Sequence, residues 1–218
     1  QVVGESPNEQ GGSRLHLTQA LDRSLQRMQM DHVDLYYLHA PDYHVPIDQT
    51  LRAMDDMVRS GKVRYVACSN FRAWRLCEAL WTSDKLGLNR FACVQPLYNI
   101  VNRDVEVELL PLCREHSVGV VSYSPLARGI LTGKYKREDP ADTGRLSGAN
   151  PFGDSKFTDR NWIILNTLRE VAAELDCEPA QAALAWAMAR PGVASTLVGA
   201  RTVAEKSAPM AATVKTWG

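Results

Sequence analysis

Val33-Asp34-Leu35-Tyr36-Tyr37-Leu38 is a short apolar, aromatic-rich run that stops at His39-Ala40-Pro41. It is too short for a core helix and is closed by a proline, so it reads as a strand of a parallel sheet. Upstream, Leu15, Leu17, Leu21, Leu25 and Met28 recur at helical spacing between Ser13 and Met30, with Ser13 placed to cap the start. Downstream the cycle repeats. Ile47 to Ser60 reads as a helix stopped by Gly61, and Val63 to Cys68 as the next strand. Arg72 to Leu86 reads as helix, Phe91 to Leu97 as strand, Val105 to His116 as helix and Val118 to Tyr123 as strand. The stretch 125–157, rich in Gly, Pro and Asp, reads as a long loop. Two helical stretches follow, Thr158 to Leu175 and Pro179 to Arg190, then a strand from Ser195 to Val198 and a weak helix from Val203 onward.

Such alternation requires parallel strands joined by crossover helices, because each helix must return the chain to the same end of the sheet. The class is therefore α/β, read as one domain over residues 1–218. Periodicity alone leaves a closed barrel and an open doubly wound sheet level. No G-x-G-x-x-G turn follows the first strand, so a dinucleotide-binding open sheet has no signature. Polar residues gather where strands finish: His39, Ser69-Asn70, Gln95 and Ser124. Both kinds of α/β fold place their sites there.

The 25 basic and 25 acidic residues cancel, and no run concentrates charge of one sign, so a nucleic-acid partner is not expected. The five cysteines, Cys68, Cys77, Cys93, Cys113 and Cys177, are widely spaced with no C-x-x-C pair and no histidine cluster. They read as reduced thiols of a cytoplasmic protein, and no metal site is expected. No 18-residue apolar segment is present, and no membrane association is expected. Trp74, Trp81, Trp162 and Trp186 fall on helical segments and read as packing residues; Trp217, in the tail, reads as disordered or as an interface residue.

Four segments in this order and spacing resemble aldo-keto reductases: 35–42 (LYYLHAPD), 61–71 (GKVRYVACSNF), 95–99 (QPLYN) and 123–129 (YSPLARG). The resemblance runs from about Ser13 to Thr202, and the 126–135 segment is similar to the bacterial and potassium-channel β-subunit branch. It implies a (β/α)8 TIM barrel with NADP(H) across its C-terminal mouth, of which this chain holds about five βα units, strands 4–8. By the same resemblance His39 is a catalytic histidine. Ser69, Asn70 and Gln95 would bind the nicotinamide carboxamide, and Tyr123 would stack on the ring. Ser124, Leu126 and Arg128 would meet the diphosphate, and Gly199 and Arg201 would begin the adenosine-phosphate site. These residue types suit those tasks: amides match amides, an aromatic face matches a flat ring, and a guanidinium matches a phosphate.

The family's catalytic Asp, Tyr and Lys have no counterpart in this sequence, Gln1 standing about where the Lys is expected. A phenol donating its proton to a carbonyl is worth on the order of 10²–10⁴ in rate. Tyr36, Tyr37, Tyr98 and Tyr123 are available phenols, but none sits in the matching motif. Beyond Thr202, Glu205, Lys206 and Pro209 depart from the family pattern, and a proline breaks a helix interior. NADP(H) binding weaker than the family norm, or lost, is the expectation. Each residue also has a plain structural role to set beside this: His39 and Asn70 holding loops, Gln95 satisfying backbone, Tyr123 in the core and Arg128 as a solvated charge.

Three functions stay open. The first is NADP(H)-dependent reduction of aldehydes or ketones where the site is completed, weak or absent in a truncated form. The second is a non-catalytic NADP(H)-binding or scaffold protein. The third is a glycosidase-like hydrolase on a sugar-like substrate, using His39 with carboxylates among Asp42, Asp104, Glu106 and Asp154. A five-stranded piece of a barrel leaves strand edges and an apolar face open, and a homo-oligomer is the expected remedy.

Overall fold

The structure, a computed structural model, describes residues 10–135 and 158–199. Its elements in chain order are α1 (Arg14–Met28), β1 (Val33–Leu38), α2 (Ile47–Arg59), β2 (Val63–Ser69), α3 (Ala73–Leu86), β3 (Cys93–Gln95), α4 (Leu109–Glu115), β4 (Gly119–Ser122), α5 (Asp159–Glu174), α6 (Pro179–Met188) and β5 (Val193–Thr196). Short 3₁₀ turns occupy Asp104–Glu106 and Ala127–Thr132. The sheet has five strands in the order β1-β2-β3-β4-β5, and the β1/β2, β2/β3 and β3/β4 pairs are parallel. The α/β reading and its alternation therefore hold. The chain divides into two compact units, Gln1–Pro96 with Val107–Val120, and Leu97–Glu106 with Val121–Gly218.

In the first unit, α1 forms because Leu17, Leu21 and Leu25 repeat every fourth residue and bury one stripe. Ser13 caps it, its hydroxyl accepting from the His16 N–H at 3.3 Å. Leu15 and Met28, which share the periodicity, are half exposed. Met54, Leu51 and Met57 of α2 pack inward, and Gly61, at φ +75°, supplies the left-handed turn that lets β2 begin two residues later. Val66 and Cys68 of β2 and Leu76, Ala79 and Leu80 of α3 are fully buried or nearly so. Tyr37, Ala67, Cys93 and Gly119 form one register row across β1–β4. A Cβ on Gly119 would stand 3.3 Å from that of Cys93, which explains glycine there.

In the second unit, Ile130, Leu131, Tyr135, Trp162, Leu165 and Ala183 form a buried cluster between the 127–132 turn, α5 and α6. Thr158 caps α5 by accepting from the Asn161 N–H, and Pro179 starts α6 behind a Glu178/Gln181 capping box. The Ser122 and Thr196 hydroxyls meet at 2.7 Å, and the Leu197 N–H donates to the Ser122 carbonyl at 2.8 Å.

Several expectations change in detail. The last strand lies at Val193–Thr196, two residues earlier than expected, and the 105–116 helix divides into a 3₁₀ turn and the shorter α4. Pro111 explains part of that: a proline lacks the N–H an interior helical position must donate, so it belongs in a first turn, where α4 places it. The long loop begins as the Ala127–Thr132 turn rather than as irregular chain. Trp162 is a packing residue and Trp186 is half-buried, but Trp74 and Trp81 are 53% and 67% exposed. They sit seven residues apart on the outer face of α3, while Leu76, Ala79, Leu80 and Ser83 take the inner one. The weak helix from Val203 and Trp217 lie outside the described residues, as does the 136–157 part of the loop.

Candidate active site

In the first unit the sheet brings His39, Ser69, Asn70 and Gln95 to the C-terminal ends of β1, β2 and β3. Ser69 and Gln95 are register partners, two residues beyond Ala67 and Cys93, so their side chains share a face with Tyr37. The Ser69 hydroxyl donates to the Gln95 carbonyl at 2.8 Å, with the Gln95 Oε1 at 3.4 Å. Asn70 donates from Nδ2 to the His39 carbonyl at 2.9 Å and to the Ser69 Oγ at 3.1 Å, and from its backbone N–H to the Gln95 carbonyl at 3.2 Å. Asn70 sits at φ 60°, in the left-handed region that asparagine tolerates better than most residues. Four residues from three strand ends thus form one hydrogen-bonded set. Ser69 is 1% exposed, whereas the His39 and Asn70 side chains are open to solvent.

Tyr37 belongs with this set, and its place was not legible in the sequence. Its hydroxyl lies 3.2 Å from the Cys93 Sγ, with the Gln95 side chain also in range. Burial, reinforced by Cys93, pushes the phenol far above its ordinary value, so it stays protonated and serves as a neutral donor. Counting two residues back from Ser69 and Gln95 along paired strands would have found it.

In the second unit, Tyr123, Ser124, Leu126 and Arg128 lie on the turn that leaves β4. Ser124, Ala127 and Arg128 have φ values of 53°, 47° and 59°, three left-handed non-glycine residues within five positions. Each costs on the order of 1–3 kcal/mol, and strain of this kind concentrates where a backbone is shaped for a ligand. Asn99 holds the turn. It is fully buried, its Nδ2 donates to the Ser124 carbonyl at 2.9 Å, and its Oδ1 accepts from the Val101 and Asn102 N–H groups at 3.0 and 2.9 Å. The sequence motif included Asn99 but gave it no task. Leu126 packs on the buried cluster, and Tyr123 is half-buried, its phenol raised by burial and pulled back by the Arg128 charge. Gly199 is exposed, with nothing within 4 Å of where a Cβ would stand, and Arg201 lies outside the described residues.

Of the four candidate hydrolytic carboxylates, Asp42 and Glu106 are held by hydrogen bonds. Asp42 accepts from the Gly12 and His44 N–H groups, both at 2.8 Å. Burial would raise its carboxyl, and these N–H groups hold it below the ordinary value. Glu106 accepts from the Arg103 guanidinium at 2.9 and 2.8 Å and from the Tyr98 hydroxyl at 2.6 Å, which keeps it ionised. Asp104 is exposed, and Asp154 lies outside the described residues. Both Asp42 and Glu106 are thus shifted away from the raised carboxyl that a general acid needs. Among the described residues there is no cluster of three or more His, Cys, Asp or Glu able to hold a metal. Nor is there a helix long and apolar enough to cross a membrane.

The first unit thus carries a parallel α/β sheet with an amide- and hydroxyl-bearing set at its strand ends, and the second unit a strained turn bearing Arg128. Comparison with known proteins gives the family. The model of the aldo/keto reductase family matches residues 2–215, and the chain belongs to that family. It is 37% identical over 200 residues to a probable voltage-gated potassium channel subunit beta of Oryza sativa subsp. japonica, covering 90% of this chain and 61% of that protein. It is 33% identical over 200 residues to the uncharacterized oxidoreductase YrpG of Bacillus subtilis, covering 91% and 59%. It is 35% identical over 206 residues to the L-glyceraldehyde 3-phosphate reductase of Escherichia coli, covering 89% and 57%. The chain thus spans about three fifths of the length of the curated relatives it matches.

Proposed function

We propose that this chain supplies the cofactor-binding portion of an NADP(H)-dependent carbonyl reductase, as one partial (β/α)8 domain holding strands 4–8. The observation that carries the reading is the linked set His39, Ser69, Asn70 and Gln95, whose donors and acceptors match a carboxamide. The strained 124–128 turn with Arg128 supports it, because left-handed backbone aims N–H groups at one point and a guanidinium pairs with a diphosphate. When bound, the nicotinamide supplies a hydride to the carbonyl carbon of an aldehyde or ketone. The first unit's residues would fix the ring through its carboxamide and place His39 beside the substrate oxygen, and Tyr123 is the aromatic side chain the second unit offers for stacking. A small aldehyde is the first substrate class to test, since relatives carry the names L-glyceraldehyde 3-phosphate reductase and aflatoxin B1 aldehyde reductase.

Reduction also requires a proton on the carbonyl oxygen. Among the described residues, Tyr37 is a protonated phenol beside Gln95, but its raised pKa makes it a poor acid. Non-catalytic NADP(H) binding is therefore the second reading. A cytoplasmic setting fits five cysteines that are all free. Self-association fits the exposed partners Leu35 and Tyr65, which sit opposite each other on β1 and β2 at 36% and 62% exposure.

Titration of the chain with NADPH, followed by cofactor fluorescence and then by loss of absorbance with glyceraldehyde, tests this. Micromolar binding with turnover supports the reductase, and binding without turnover supports the second reading. No binding at millimolar cofactor refutes both and leaves the hydrolase to chromogenic glycosides.

A further inference from the structure

In the second unit, α5 and α6 flank an open apolar trough of about 600 Å³. That is inside the range of about 300–1,000 Å³ common for small-molecule sites. It exists because α6 presents Ala182, Ala185 and Ala189 on this side while α5 presents Ile163, Leu168 and Val171. Alanines at these spacings leave a trough that the larger side chains of α5 wall but do not fill. The α5 side continues to Leu175, so the trough extends along about 18 Å of helix at roughly 1.5 Å per residue. Ile163, Val171 and Leu175, on the α5 side, are 66%, 40% and 41% exposed, so the trough is open to solvent along that wall.

Charge marks one end. Arg190 lines the trough beside Trp186, its guanidinium carbon 5.0 Å from the ring centroid, and Arg103 approaches the same ring at 5.3 Å. Glu106 takes Arg103 in two hydrogen bonds and faces Arg190 only at longer range. The Arg190 Nε is buried with no hydrogen-bond partner. Two guanidiniums against one carboxylate leave a positive excess at the mouth of an otherwise apolar trough. A planar guanidinium is matched by a carboxylate, which offers two acceptors and no donor.

We propose that the α5–α6 trough binds a single-chain amphiphilic carboxylate, with the acyl chain along the alanine side of α6 and the head on Arg190. A neutral chain of equal length would keep the apolar contacts and lose the pairing. A cation would be repelled. The site is separate from the cofactor reading, and its test does not depend on redox activity.

The test is calorimetric titration of the full chain with sodium decanoate below its micelle concentration, alongside decan-1-ol. One saturable site per chain is expected, with decanoate at least tenfold tighter than decanol. Arg190→Gln should bring decanoate down to the level of decanol, and Ala185→Trp, which fills the trough, should remove both. Should Ala185→Trp fail to fold, Ile163→Glu places a like charge on the exposed rim and should weaken decanoate at least tenfold. Equal affinity for decanoate and decanol, non-saturating uptake, or no binding would overturn the proposal. So would an Ala185→Trp variant that binds decanoate normally and only changes its oligomeric state, which would make the trough a protein interface.

Discussion

The Nδ2 of Asn70 donates to the main-chain carbonyl of His39 at 2.9 Å, tying the end of β2 to the end of β1. Asn70 does this from a left-handed backbone, so its side chain and its φ are both required. Asn70→Gly keeps the backbone and loses the bonds, while Asn70→Ala loses both. By urea unfolding, Asn70→Ala is expected to cost about 2 kcal/mol, and Asn70→Gly about 1 kcal/mol. NADPH affinity should fall in both, by roughly tenfold. Wild-type affinity in either variant would remove Asn70 from the proposed carboxamide set.

Asn99 bridges two segments of the second unit with three side-chain hydrogen bonds and no exposed surface. Asn99→Ala leaves the Val101 and Asn102 N–H groups and the Ser124 carbonyl without these partners, an expected loss of about 2–4 kcal/mol by denaturant titration. Asn99→Asp should restore only part, since its carboxylate accepts from the N–H groups but has no donor for Ser124. A loss under 1 kcal/mol in Asn99→Ala would show that the turn is held by other contacts.

Arg128→Gly separates strain from charge. Glycine at φ 59° relieves the backbone, so stability should stay the same or rise by about 1 kcal/mol. NADPH binding should weaken about ten- to a hundredfold and lose much of its salt dependence. Unchanged affinity with raised stability would mean that the strain serves the fold and not a ligand.

Asp55 links α2 to the loop before β3. Its side chain is 4% exposed and accepts from the Asn89 N–H at 2.8 Å, the Asn89 Nδ2 at 2.7 Å and the Arg59 guanidinium at 2.5 Å. Burial alone would raise its carboxyl, but these donors hold it below the ordinary 3.8. The unfolded state therefore binds the proton more readily than the folded one. The Asp55 contribution is full above about pH 5 and is lost as pH falls through the lowered folded value. Measured against Asp55→Asn, the wild-type advantage should be constant from pH 8 to 5 and shrink below pH 4. An advantage that grew on acidification would contradict the sign.

Thiol reactivity should follow burial. Cys77 is exposed and Cys177 intermediate, whereas Cys68, Cys93 and Cys113 are buried. Burial pushes the Cys113 thiol to about 11, leaving about one part in a thousand as thiolate at pH 8. With a chromogenic disulfide in buffer, one fast and one slower thiol are expected, the remaining three appearing only in denaturant. Fast reaction at three or more sites would show that the sheet interior opens.

Sequence alone determined the order and type of the elements and the position of the polar residues at strand ends. Apolar periodicity and turn chemistry act over a few neighbouring residues, so Leu17, Leu21, Leu25, Gly61 and the run 33–38 declare their elements without reference to the rest of the chain. The residues His39, Ser69, Asn70 and Gln95 were likewise visible, because a parallel sheet delivers every strand end to one side. Tertiary structure decided what depends on partners distant in sequence. Strand register put the Tyr37 hydroxyl on Cys93 across 56 positions, and burial of Asn99 gave it the Ser124 carbonyl to hold. Packing left Trp74 and Trp81 outside, since only one face of α3 can meet the core, and the alanines of α6 opened a trough along α5. None of these is a local property of the chain: each follows from which surfaces meet when side chains of fixed volume close around a common core.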